Sequence, residues 1–167
     1  MHRRYFPGLL FATLIVLTGI GCTSGESRPT EDEDKENAHH EEAELALHMA
    51  RLQRWTQKTA LALQAQNPEV ADFYLHEMEE SIETIQTEAP TYEGYEIADQ
   101  TETFLVPSVE SLDRALDDRD WSAVETRLTE LAHACNQCHE ATDHGFVKID
   151  LEDVPNPYPQ DFSAPAK

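Results

Sequence analysis

The stretch DWSAVETRLTELAHACNQCH, residues 120–139, decides how this chain is read. Asp120 is a strong helix N-cap, because its carboxylate can accept from the unpaired N–H groups of a first turn. Behind it, Trp121, Val124, Leu128, Leu131, Cys135 and Cys138 recur at three- and four-residue spacing, the apolar stripe of a core-facing helix. The stripe runs into Cys135-Asn136-Gln137-Cys138-His139. Two cysteines three apart, with a histidine directly after the second, read as an attachment site for a c-type haem. Each thiol adds to one vinyl group of the porphyrin, and the adjoining imidazole is held beneath the iron.

Other chemistries stay open on these residues alone. The pair can be a redox dithiol or a plain disulfide, and a zinc site can draw on His133, Cys135, Cys138 and His139. No βαβ pattern surrounds the pair, and the chain lacks the second ligand pair usual in structural zinc sites. The haem reading therefore leads. It expects one covalent haem c, with Cys135 and Cys138 as thioether donors and His139 as the proximal iron ligand.

Such a cofactor is attached outside the cytoplasm, so an export signal is an independent test. Residues 1–21 carry one: Arg3 and Arg4 form a positive start, followed by the uncharged apolar run Leu9–Ile20. Its 12 residues are too few for an ordinary membrane-spanning helix. The ending Leu17-Thr-Gly-Ile-Gly21-Cys22 resembles a bacterial lipoprotein signal, with Cys22 lipidated as the mature first residue. Gly19 departs from that pattern, where Leu is usual. The reading accounts for the third of the three cysteines. Thr23, rather than Asp, after the cysteine implies sorting to the outer membrane, so the expected location is the periplasmic side of the envelope.

The formal charge is −21. That balance excludes nucleic acid as a partner and opposes adsorption to anionic lipid, leaving the anchor to hold the protein at the membrane. Solubility explains most of the acidity, and docking onto a basic redox partner is a second use for it. Residues 22–40, rich in Ser, Gly, Pro, Glu and Asp, are expected to form an extended, disordered acidic tether.

Residues 41–145 read as a helical domain. From Glu41 to Gln66 there is no Gly or Pro, and Leu45, Met49, Leu52, Trp55 or Thr56, Thr59 and Leu63 form a stripe. Asn67-Pro68 pairs an N-cap with a first-turn proline, opening a second helix to about Glu88 with Ala71, Tyr74 or Leu75, Met78, Ile82 and Ile85 inward. A third runs from about Ile97 to Leu116, kinked or restarted at Pro107. With the segment after Asp120, this predicts an all-α fold, an antiparallel four-helix bundle with haem near the C-terminal end of the fourth helix. Residues 146–167, Pro-rich, cannot be helical. Phe146–Leu151 can lie along the bundle shielding a haem edge or fray, and the sequence does not choose.

A haem motif near the end of the last of four helices resembles the class II c-type cytochromes, cytochrome c′ and its low-spin relatives such as cytochrome c-556, over about residues 41–145. Tyr74-Leu-His-Glu-Met-Glu-Glu80 and His144-Gly-Phe146 also resemble exported haem-bundle proteins. In the family the distal residue comes from the first helix. The resemblance therefore implies Met49 as sixth ligand, or His48 beside it, or an open iron. It also extends to this chain the family's tendency to form homodimers. The family commonly has a basic residue four after the haem histidine, whereas this chain has Asp143, then His144.

Met with His raises the reduction potential and closes the iron, which suits electron transfer. The expected function is thus a lipid-anchored monohaem cytochrome passing single electrons between redox partner proteins. The alternative is a haem-based binder of nitric oxide or carbon monoxide with a vacant distal position. No catalytic constellation is visible, so no enzyme is expected. His76 and His133 read as solvated, and Trp55, Trp121, Tyr74 and Phe104 as core aromatics around the porphyrin.

Overall fold

The computed structural model describes residues 31–165, with side chains from 44 onward. The signal segment 1–21, Cys22 and tether residues 22–30 lie outside the described residues. The fold is all-α. In order come α1 (Glu31–Gln64), α2 (Pro68–Glu88), a two-strand hairpin of β1 (Thr91–Tyr92) and β2 (Tyr95–Glu96), α3 (Ile97–Gln100), a π-helical turn (Thr101–Leu105), α4 (Val106–Asp117) and α5 (Trp121–Ala141). No helix among the described residues is long and apolar enough to cross a membrane.

One expectation is corrected at the N-terminus. Residues 31–40, expected as the second half of an extended tether, are helical and continuous with α1. No glycine or proline interrupts 31–64. Once the packed part of a helix exists, propagating it outward avoids the cost of a new nucleus, and acidic residues at an N-terminus favour its dipole. Compositional repulsion alone misjudged this segment.

The caps fall where the sequence places them. The Asn67 side chain accepts from the Val70 N–H at 3.3 Å, with Pro68 at the first position of α2. The Asp120 carboxylate accepts from the Ala123 N–H at 3.1 Å, opening α5. The third expected helix is one rod, 97–117, containing the π-helical turn. That widened turn ends at Leu105, two residues before Pro107, where an α register would meet the proline ring and its missing N–H. The hairpin at 91–96 is too short for strand alternation to reveal. Its turn residues Glu93 and Gly94 have φ of 48° and 83°, the mirror-image turn that matches strand twist.

Packing follows the stripes. α1 packs on α2, α4 on α5, α2 on α4, and α1 on α5. Tyr74, Leu75, Met78, Ile82 and Ile85 of α2 meet Val109, Leu112, Val124, Leu128 and Leu131 in one buried cluster. Both residues of the Tyr74/Leu75 choice are buried; of Trp55 and Thr56, Thr56 is the buried one. Its hydroxyl donates to the Leu52 carbonyl at 2.8 Å and contacts Met78 Sδ at 3.2 Å.

The C-terminal segment is a strap that crosses the helices. Leu151 and Phe162 are buried. The Tyr158 hydroxyl donates to Gln57 Oε1 at 2.8 Å and the Tyr74 hydroxyl to Gln160 Oε1 at 2.7 Å. Lys58 Nζ donates to the same Gln160 oxygen and lies 4.7 Å and 5.1 Å from the Tyr74 and Tyr158 ring centres. Asn67 Nδ2 donates to the Phe162 and Ser163 carbonyls at 3.1 Å and 2.9 Å. One amide therefore both caps α2 and fastens the strap's far end.

The acidity has a local cost. On α4, burial raises the Asp113 carboxyl above its usual range, helped by Asp117 and Asp72; on α2, burial and then the Asp113 charge raise Glu79. A carboxyl raised in the folded state holds its proton better there, so the native state loses relative stability as pH rises from about 4 through the raised value. Asp113→Asn is expected to raise Tm at pH 7, with an advantage over the parent that shrinks toward pH 4. Melting curves across that range check it, and an advantage independent of pH would contradict it.

Candidate functional site

A cavity of about 580 Å³ opens between α1, α5, the hairpin and the start of the strap. That size falls within the range of cofactor and ligand sites. From α1 it is walled by Leu45, Met49, Leu52, Gln53 and Thr56, from α5 by Cys135, Cys138 and His139 with Thr142 just past its end, and from β1 by Tyr92. His144, Val147, Ile149 and Leu151 close it from the strap side. The lining is mostly apolar, with sulfur and imidazole donors at one wall.

Helical spacing brings the α5 donors together. Cys135 and Cys138 are one turn apart with free thiols, Cys138 buried and Cys135 half-buried. Burial pushes the Cys135 thiol up to about 12, with Cys138 adding to it, and burial raises Cys138 as well. Both lie in the last two turns of α5, the negative end of its dipole. A dithiol oxidoreductase needs the opposite, a thiolate favoured at a helix N-terminus. These sulfurs are poor thiolates, which disfavours the redox-dithiol reading. Among the described residues no group of three or more His, Cys, Asp or Glu side chains is placed to hold a metal ion, so the zinc set with His133 is not assembled. His133 is exposed.

His139 has a defined tautomer. Its Nδ1 lies 2.9 Å from the Val147 carbonyl oxygen. A carbonyl only accepts, so Nδ1 carries a proton, and in the neutral ring Nε2 is then the nitrogen with the lone pair. An imidazole fixed this way is oriented and made more basic for a metal. The chain reverses just beyond it: Asp143, at φ 58°, ends α5, and the His144 N–H donates to the His139 carbonyl at 2.7 Å. The Tyr95 hydroxyl donates to the Asp143 carboxylate, tying the hairpin to this corner and raising Tyr95.

The two distal candidates separate. Met49 lines the cavity. His48 is buried but turned elsewhere, with Nε2 at 3.4 Å from Glu88 Oε2 of α2. Trp55, Trp121, Tyr74 and Phe104, expected around the porphyrin, are not in the lining; Trp55 stacks on Tyr74 at 5.7 Å, facing the strap. The aromatic wall is Tyr92 instead, 5.8 Å from the His144 ring. Sequence reading missed Tyr92 and His144 as wall residues; of the two courses left open for 146–151, the segment takes the one along the helices, with Leu151 buried and Val147 and Ile149 in the lining. The nearest signal was Tyr92-Glu-Gly-Tyr95, a turn dipeptide between tyrosines.

The donor set fits a haem covalently held at α5. The cavity is large and apolar, both sulfurs and an Nε2 lone pair stand on one wall, and a thioether is available on another. Among protein-family models, curated proteins and solved structures, none matches this chain.

Proposed function

We propose that this protein is a monohaem c-type cytochrome built on an antiparallel four-helix bundle, carrying single electrons at the periplasmic face of a bacterial envelope. Cys135 and Cys138 would hold the cofactor through thioethers, and His139 Nε2 and Met49 are the side chains that would ligate its iron. When bound, haem supplies reversible one-electron transfer. The chain's own residues orient the imidazole through Val147, exclude water with Leu45, Leu52, Ile149 and Leu151, and present Met49 from the facing helix. Cys22 carries the lipid anchor, favouring the outer membrane, and 22–30 links it to α1. Redox partners are proteins, and the net charge of −21 favours basic ones.

One observation carries the reading: His139 Nδ1 is committed to a carbonyl, leaving Nε2 free, beside two free thiols on a cavity of about 580 Å³. The likeness of the motif to class II cytochromes supports it. The test is the mass and visible spectrum of protein exported from a host able to attach haem. The expected mature mass includes one haem, with sharp bands on reduction. A colourless product with two titratable thiols at 135 and 138 would overturn the proposal.

A further inference from the structure

Thioether formation and iron ligation make no demand on the Asn136 side chain, yet its amide is the most fully used polar group of the motif. Nδ2 donates to the Ile149 carbonyl at 2.9 Å, and Oδ1 accepts from the Ile149 N–H at 2.7 Å. The pair reproduces, with one side chain, the two-bond exchange between paired strands. Two residues back along the strap is Val147, whose carbonyl receives His139 Nδ1. Val147 itself is held from behind, its N–H donating to the His144 carbonyl at 2.8 Å. Between them, Lys148 pairs with Glu140 at 2.7 Å, an exposed contact of little weight. The carbonyl on His139 is thus braced on one side by the α5 turn and on the other by Asn136.

We propose that Asn136 is a positioning residue: it fastens the C-terminal strap to α5 so that the Val147 carbonyl stays on His139 Nδ1 and sets the imidazole's strength as an iron donor. The inference rests on the haem reading and goes beyond it, since the motif alone assigns Asn136 no role. Strap and cofactor become coupled. Loss of the clamp frees the carbonyl, and a less basic imidazole favours the ferrous form.

The test uses the full-length haem protein and three variants. In Asn136→Ala, covalent haem stays, proteolysis within 146–165 speeds up, and the reduction equilibrium shifts toward ferrous by about tenfold. In ¹⁵N-histidine-labelled reduced protein, the His139 Nδ1–H exchanges with solvent at least tenfold faster. Asn136→Asp keeps the acceptor for the Ile149 N–H and falls between Asn136→Ala and the parent. Leu151→Ala loosens the strap's buried contact while leaving the clamp. It admits water, which favours the more charged ferric ion, and shifts the equilibrium the other way or not at all.

The sign separates positioning from mere packing. If Asn136→Ala shifts the equilibrium in the same direction as Leu151→Ala, or leaves Nδ1–H exchange unchanged, the proposal is overturned while the cytochrome reading stands. If the parent carries no haem, both fall together. An unchanged cleavage rate in Asn136→Ala shows that the amide does not hold the strap, and also overturns it.

Discussion

Replacing both thiols, Cys135→Ala with Cys138→Ala, is expected to leave a helical protein whose mature mass falls by one whole haem beyond the two sulfur atoms. Alanine is the best helix former, so α5 keeps its backbone, and only the covalent chemistry is lost. On the proposed reading the parent's cofactor would cover the apolar walls formed by Leu45, Leu52, Ile149 and Leu151. Without it those walls face water, and Tm is expected to drop by well over the ~4 °C that 1 kcal/mol represents in a domain of this size. Either single variant retains one thioether and an intermediate Tm. Intact-mass spectrometry and thermal melts check both statements. A double variant matching the parent in absorbance per chain would refute thioether attachment at these residues.

Met49→Ala is expected to open the iron. If His139 and Met49 ligate the iron as proposed, the reduced parent is expected to show no spectral change on mixing with carbon monoxide, and the variant to respond at once. Its reduction potential falls as well, since Met with His ligation raises it. His48→Ala leaves the carbon monoxide response as in the parent, because that ring is turned to Glu88 rather than to the cavity. It instead lowers stability by roughly 1–3 kcal/mol, as truncation of a buried side chain does. A parent that binds carbon monoxide immediately would overturn the sixth-ligand assignment and favour the gas-binding reading. A closed Met49→Ala would place the ligand elsewhere, with the cavity's second imidazole, His144, the next to change.

Adjacent residues on a helix point about 100° apart, which is why Met49 and His48 were both candidates from the stripe. Neither chemistry nor spacing separates them. The rotation of α1 against α2 does, by pairing His48 with Glu88 and leaving Met49 on the cavity wall. The porphyrin-facing aromatics failed for a related reason. Trp55 and Tyr74 are apolar-face residues of α1 and α2, but their face meets the strap, joined through Lys58 to Gln160, 102 positions away.

What the chain determined locally was everything within one turn of itself. Asn67 and Asp120 start α2 and α5 because a side-chain oxygen reaches an N–H three residues on. The stripes on α2 and α5 face the core because helical period and apolar side chains admit one burial. Cys135, Cys138 and His139 reach one cavity wall because three- and four-residue spacing on a helix puts them on one side of α5. Tertiary structure alone decided the rest: the π-helical turn before Pro107, the hairpin that brings Tyr92 in, and the strap that Asn136 and Asn67 fasten. Those contacts close loops of 13 to 96 residues, and their energy belongs to partners that meet only after the helices have packed.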